Sequence, residues 1–401
     1  MIEQFCTLNP HSSVILESLI TPIRMYFVVV LSLHPCHHGQ PTSKDLFRVH
    51  QSDSSLPSRL ICYCARMPAP ATTLVMHPFV REELLHDRHI ARLDTLCSLA
   101  SRNPFPSFNN APQKTLAKTE ILITSWGCPS IDRAVLNQLP KLKLIAHLAG
   151  SVKGFIDEYA WRRGVKVTNA VAANAVPVAE YTLAAILFAN KRIFQLNRAY
   201  RKVRENRSPW SREAPDVGNY RKTIGLVGAS HIGRLVLQYL QQHDFNLLLY
   251  DPYVSPLDAR DLGAAKVGLA ELASQSDVVS LHAPLLPETR HMFGSRELNL
   301  MKDHATLINT ARGGLIDQEA LTQELANGRL FAVLDTTDPE VLDPKSPLYE
   351  LPNVFLTPHI AGSLGNETQR LAECILEEIA RFVKNAPLQH AVKREELDRL
   401  A

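Results

Sequence analysis

One stretch constrains this chain more than any other: Lys222–Asp251, KTIGLVGASHIGRLVLQYLQQHDFNLLLYD. An apolar run of strand length, Ile224–Val227, leads into the tight sequence Gly228-Ala229-Ser230-His231-Ile232-Gly233. Apolar residues at Leu235, Val236, Tyr239 and Leu240 follow at helical spacing, and a second apolar run, Leu247–Tyr250, ends on Asp251. Strand, glycine turn, helix, strand and acid, in that order, form the layout of a dinucleotide-binding βαβ unit. Gly228 permits the turn out of the strand, and Gly233 lets the helix approach the sheet. The helix start, at Ser230, His231 and Ile232, offers free N–H groups and a positive dipole end to a pyrophosphate. Asp251 lies 23 residues beyond Gly228, where a carboxylate can hold ribose hydroxyls. The middle position of the glycine motif is Ser230, a small residue whose hydroxyl can donate to a phosphate. An ordinary βαβ unit without a nucleotide has the same layout, so the motif alone leaves both readings open.

The 401 residues are enough for two or three domains, and 45% hydrophobic with 21% charged residues fits a chain with a substantial core. Net charge is +3, from 43 basic and 40 acidic residues without a basic block, so neither nucleic acid nor an anionic membrane surface is indicated as a partner. Seven scattered cysteines imply no disulfide framework and a reducing compartment, hence a cytoplasmic location. No uninterrupted run of 18 apolar residues occurs, so no transmembrane helix is predicted. The run Met25–Leu33, MYFVVVLSL, has the length of a signal-peptide core but sits behind Glu17 and Arg24.

Residues 1–66 hold no helical or strand period and are expected to form a poorly ordered extension. His34, Cys36, His37, His38, Cys62 and Cys64 fall here, at spacings that match no common zinc site, and no metal is expected. A cleaner pattern opens at Met67. Strands are expected at Ala71–Met76, Thr119–Ser125, Leu142–Leu148 and Val165–Thr168, with a helix over Val80–Leu99. Pro177 is expected to open a long apolar helix, Val178–Arg201, since proline is tolerated in a first turn. The polar residues 202–220 read as a linker or arm. Beyond Asp251, strands are expected at Asp277–Leu281, Ala305–Asn309, Leu330–Leu334 and Val354–Leu356, with a helix over Gln318–Asn327. Strands alternating with helices imply an α/β fold with parallel sheets. Polar punctuation falls at the strands' C-terminal ends, the edge that carries the ligand crevice in such sheets.

Three residues at that edge suit chemistry on a 2-keto acid: Arg312, Glu340 and His359. Hydride transfer to such a substrate needs a cationic or N–H-rich seat for the carboxylate, a polarised carbonyl and a proton for the developing alkoxide. An arginine fork serves the first two needs and a histidine the third, and a carboxylate beside a histidine favours imidazolium. Taken singly, each has an ordinary alternative: a surface ion pair for Arg312, a solvated loop for Glu340, a structural hydrogen bond for His359.

From about Met67 to Ala391 the chain resembles the D-isomer-specific 2-hydroxyacid dehydrogenase family. The resemblance rests on Val178-Ala179-Glu180, the glycine turn with Asp251, DVVSLHAPLLPETRHM, LINTARGGLID, AVLDTTDPEVL and NVFLTPHIAGS. It implies a Rossmann doubly wound NAD-binding domain, 191–363, and a flavodoxin-like α/β substrate domain, 67–190, completed by a C-terminal helix within 364–401. Arg312, Glu340 and His359 take the catalytic positions. Asp335 would face the nicotinamide amide, and Pro284, Thr289 and Thr310 would line the cofactor. Gly150, Ser151 and Val152 would seat the substrate carboxylate on backbone N–H groups, with Arg312 also binding substrate. The chain departs from the family at Ser230, at Val341 in place of a proline, and at Thr336-Thr337 in place of the usual Val-Phe. The implied activity is NAD-dependent oxidation or reduction at C2 of a small 2-hydroxy or 2-keto acid, in a homodimer. The other reading the family allows is an NAD(H)-sensing, corepressor-like scaffold with the same fold.

Overall fold

The computed structural model describes residues 68–204 and 217–399, and the backbone of two short strands nearer the N-terminus. Those strands, β1 (Val14–Glu17) and β2 (Tyr26–Val29), pair antiparallel. The remainder of the 1–66 extension, including the cysteines and histidines weighed as zinc ligands, lies outside the described residues, as do residues 205–216 of the arm. The chain divides into two compact units, Met1–Met67 and Pro68–Ala401.

The second unit holds two wholly parallel sheets. The first joins β3 (Ala71–Val75), β4 (Ser98–Leu99), β5 (Ile121–Thr124), β6 (Leu144–His147) and β7 (Lys166–Asn169) in the order β4-β3-β5-β6-β7. Counted within the sheet this is 2-1-3-4-5, the flavodoxin-like order. The second joins β8 (Thr223–Val227), β9 (Asn246–Tyr250), β10 (Ala265–Lys266), β11 (Val278–Leu281), β12 (Thr306–Asn309), β13 (Phe331–Leu334) and β14 (Val354–Leu356). Its order, β10-β9-β8-β11-β12-β13-β14, is the Rossmann 3-2-1-4-5-6 extended by one strand. The order reverses between β8 and β11, so a crevice opens at their C-terminal ends, beside Gly228 and His282. The inner strands β5, β6 and β11 to β13 are buried nearly throughout, as parallel strands covered on both faces must be.

Two helix expectations need correction. The segment Val80–Leu99 is two helices, Pro78–Leu84 and Asp87–Leu96, because a new helix opens at His86, whose N–H donates to His89 Nδ1. The long helix runs Val171–Asn190 with Pro177 inside it, instead of starting at Pro177. It therefore starts six residues before Pro177, where Asn169 Oδ1 accepts from Val171 N. Arg192, at φ +47, breaks it, and Ile193–Val203 forms a separate helix. Val171–Asn190 is long and apolar enough to cross a membrane, but ten of its 20 residues are buried inside this unit.

The C-terminal helix Thr368–Val383 returns to the first sheet, placing Leu371, Ile375, Leu376 and Ile379 against Leu74, Ile121 and Leu144. The chain after it is pinned to the edge strand β7. Val392 N donates to Val167 O, Thr168 Oγ1 to His390 O, and Trp161 Nε1 to Val392 O. Glu378, fully buried, holds this tail by accepting from Gln389 N at 3.0 Å and His390 N at 2.9 Å. Replacing Glu378 with Ala leaves both N–H groups without an acceptor, and should cost about 2–6 kcal/mol of unfolding free energy at about 1–3 per orphaned donor. Urea unfolding measures this, and a loss within 0.5 kcal/mol, roughly the size of a surface change, would show that the tail is not held by this carboxylate.

Candidate active site

The C-terminal ends of β12, β13 and β14, three adjacent strands, carry the three residues singled out for chemistry. Arg312 follows β12, Glu340 follows β13 and His359 follows β14. Glu340 Oε1 lies 2.5 Å from His359 Nδ1. Both side chains are about half exposed, so the contact adds little to stability, about 0–1 kcal/mol. Its effect is positional: with Nδ1 engaged, the ring's Nε2 is left for another partner. Arg312 donates to Ala311 O at 2.7 Å, and Asn309 Nδ2 donates to Arg312 O. The loops are pressed together. A Cβ on Gly313 would stand 2.0 Å from the carbonyl carbon of Thr337, so only glycine lets the arginine loop meet the glutamate loop.

Asp335 does something the sequence reading missed. Its side chain is buried and accepts from Thr357 Oγ1 at 2.6 Å, Ile360 N at 2.8 Å and Ala361 N at 2.9 Å. Its backbone O accepts from His359 N. These bonds hold the loop at His359, whose φ of +54 is a left-handed conformation uncommon outside glycine. The signal available in the sequence was an acid after one strand and, 22 residues on, a Thr-Pro-His turn after the next, which does not reveal that the acid binds the turn.

The glycine turn matches its expected geometry. Gly228 has φ +97, and a Cβ there would meet Ala283 N at 2.7 Å. A Cβ on Gly233 would meet Gly228 O at 2.1 Å. Ser230 caps the helix His231–Leu240, its Oγ accepting from Gly233 N at 3.3 Å. Asp251 reaches back to the turn, Oδ2 accepting from Ala229 N at 2.8 Å and Oδ1 from Tyr253 N. His231 lines a cavity of about 520 Å³ with Arg234, Ala172 and Val176. Ile232 is half-buried behind it. Thr289 Oγ1 donates to Pro284 O at 2.6 Å, and Thr310 Oγ1 lies 3.1 Å from Thr182 Oγ1 on the long helix.

Gly150, Ser151 and Val152 follow β6 at the matching edge of the first sheet. Among the described residues their three N–H groups donate to no protein acceptor, and nothing lies within 4 Å of a Cβ on Gly150. Beyond β14, Ser363 N donates to Asn174 Oδ1 near the start of the long helix.

Residues 183–361 match the D-isomer specific 2-hydroxyacid dehydrogenase, NAD binding domain. The chain is 34% identical over 271 residues to a glyoxylate reductase of Korarchaeum cryptofilum, covering 66% of this chain and 80% of that protein. It belongs to the D-isomer specific 2-hydroxyacid dehydrogenase family. It is also 34% identical over 277 residues to a D-3-phosphoglycerate dehydrogenase of Methanocaldococcus jannaschii, 68% of this chain but only 51% of that protein. The chain thus spans about half the length of the phosphoglycerate dehydrogenases it matches. Among solved structures, the D-lactate dehydrogenase of Aquifex aeolicus complexed with NAD and lactic acid is 28% identical with a TM-score of 0.58, over 78% of this chain and 96% of that one.

The family's cofactor is NAD, and the residues present fit it. The turn at Gly228 has no room for a side chain, the helix beyond it begins on a capped, N–H-rich turn, and Asp251 stands at the end of the next strand. Two buried histidines sit at C-terminal strand ends. His147 ends β6 with Nδ1 2.9 Å from Thr124 Oγ1, and His282 follows β11 with Nε2 3.0 Å from Ser280 Oγ. Burial holds both neutral, pushing His147 down to about 4 and His282 to about 3. Unfolding frees them to protonate near the ordinary value of about 6.5. Between those values the unfolded chain binds more protons, so stability falls as pH drops below 6.5, by about 1.4 kcal/mol per pH unit for each histidine. Unfolding free energies at pH 7 and 5.5 should therefore differ less in His147→Gln and in His282→Gln than in the parent. An unchanged pH dependence in the double variant would refute this.

Proposed function

We propose that the protein is an NAD-dependent oxidoreductase that moves a hydride between nicotinamide and C2 of a small 2-hydroxy or 2-keto acid, of the D-2-hydroxyacid dehydrogenase or glyoxylate/hydroxypyruvate reductase type. The observation that carries this reading is the 2.5 Å contact between His359 Nδ1 and Glu340 Oε1, on the strand edge that also bears Arg312. When bound, NADH supplies the hydride. The free N–H groups of Gly150, Ser151 and Val152 seat the substrate carboxylate, and the Arg312 guanidinium binds it and polarises the C2 carbonyl. Glu340 fixes the His359 ring so that Nε2 delivers the proton to the C2 oxygen in reduction and removes it in oxidation. Pro284, Thr289 and Thr310 line the cofactor, and Asp335 keeps one lone pair for the nicotinamide amide, since a carboxylate has about four acceptor sites and three are used within the chain. The sheet orders support a substrate domain of residues 67–190 completed by the C-terminal helix, and an NAD-binding domain of 191–363.

A panel of 2-keto acids with NADH tests the activity. Turnover of at least one acid is expected, with NADH preferred to NADPH, because Asp251 repels a 2′-phosphate. NADH binding without turnover of any acid would instead favour the scaffold reading. His359→Ala should lower kcat by roughly 10²–10⁴, the usual share of a positioned proton donor, with NADH affinity kept. Near-full turnover in that variant would discard the assignment.

We also propose a homodimer formed along the helix Ile193–Val203. No residue of that helix is buried, and it exposes Ile193, Tyr200 and Val203, beside exposed Phe188 and Tyr220. A twofold contact covers such a face with its own copy. Light scattering at micromolar concentration should give twice the chain mass of 44.8 kDa; a monomer mass rejects the dimer.

A further inference from the structure

We infer that Thr337 is a positioning residue for the proton-transfer pair, acting through Glu340; the inference rests on the catalytic reading above. Glu340 sits on an exposed loop, and its neighbour Val341 is 80% exposed. A carboxylate on such a loop ordinarily samples many positions, yet this one must meet His359 Nδ1 at hydrogen-bond distance. The side chain that ties the loop down is Thr337. Its Oγ1 donates to Pro339 O at 2.8 Å and to Glu340 O at 3.1 Å, a single O–H shared between the two carbonyls that bracket the Glu340 Cα.

Thr337 is itself fixed from three sides. Its backbone is pressed on Gly313, next to Arg312. The following N–H, of Asp338, donates to Gln318 Oε1 at 3.1 Å, and the Asp338 carboxylate pairs with Arg290 at 2.9 Å. The residue before it follows Asp335, which holds the His359 turn. One short segment, 335–340, therefore sets both halves of the pair: Asp335 places the histidine and Thr337 places the glutamate. The adjacent Thr336 gives the contrast. Its hydroxyl is buried without a partner, so it does not share this role.

Thr337→Val keeps the shape and removes the donor; Thr337→Ser keeps the donor. Thr337→Val should lower kcat for keto-acid reduction about 3- to 10-fold, the effect of one neutral hydrogen bond, with KM for NADH unchanged. Thr337→Ser should restore kcat to within about twofold, less than half the energy of one such bond. In a Glu340→Gln background the Val change should have little further effect, because the residue acts only through Glu340. An equal loss in both backgrounds, or a loss that serine does not restore, would overturn the inference by making Thr337 merely structural. Full activity of Thr337→Val in a protein that loses turnover on His359→Ala would overturn it while leaving the catalytic reading intact. Turnover that survives His359→Ala would remove the reading beneath both.

Discussion

The carboxylate of Asp335 is the interaction on which the site's geometry depends. It is buried, and it binds three donors from one turn, Thr357 Oγ1, Ile360 N and Ala361 N. That turn carries His359 at φ +54, a conformation costing of order 1–3 kcal/mol. Hydrogen bonds to a charged acceptor contribute about 1.5–3 kcal/mol each, so three of them outweigh the strain. The same network runs on to the long helix. Tyr181 OH lies 2.7 Å from Thr357 Oγ1, and burial pushes the Tyr181 phenol's pKa up, keeping it a hydroxyl. The histidine is thus set by a strand end on one side and the long helix on the other.

Close backbone contact is the second constraint, and it explains where glycine is needed. Arg312 and the segment 335–340 come from neighbouring strands and must nearly touch. Gly313 alone permits that, since any side chain there would overlap the Thr337 carbonyl. Gly228 serves the same purpose between β8 and β11, where the sheet order reverses. A parallel sheet brings the strands' C-terminal ends to one edge. The glycines then let the loops at that edge approach within reach of a common small molecule.

Much of this was legible in the sequence because it depends on local pattern. The βαβ unit was visible because strand, turn, helix and acid are contiguous, and the core strands because buried parallel strands are continuous apolar runs. The pairing of Glu340 with His359 came from resemblance, since nothing in the spacing of two residues on different strands requires contact. What stayed hidden was set by tertiary partners. Pro177 reads as a helix start on local rules, yet the helix begins at Val171, with half of its residues buried inside the unit. Glu378 reads as one more polar residue among Glu373 and Glu377, but the returning tail buries it and makes it an anchor. Short helices such as Arg133–Gln138 and Leu269–Gln275 are too brief to build a periodic signal.

The departures from the family's pattern share a physical logic. Three of the four differing positions carry hydroxyls: those of Ser230 and Thr337 bond nearby backbone, whereas that of Thr336 is buried without a partner. Ser230 gives up the open backbone of a glycine and gains a helix cap worth about 1 kcal/mol. Because its oxygen accepts from Gly233 N, the Ser230 hydroxyl still has its hydrogen to donate. Thr337 replaces a large apolar side chain with a donor to the Pro339 and Glu340 carbonyls. In both places the side chain makes a hydrogen bond to backbone, which fixes direction as well as distance. The catalytic set can remain intact across such changes because what the chemistry requires is the position of Arg312, Glu340 and His359, and more than one kind of support can supply it.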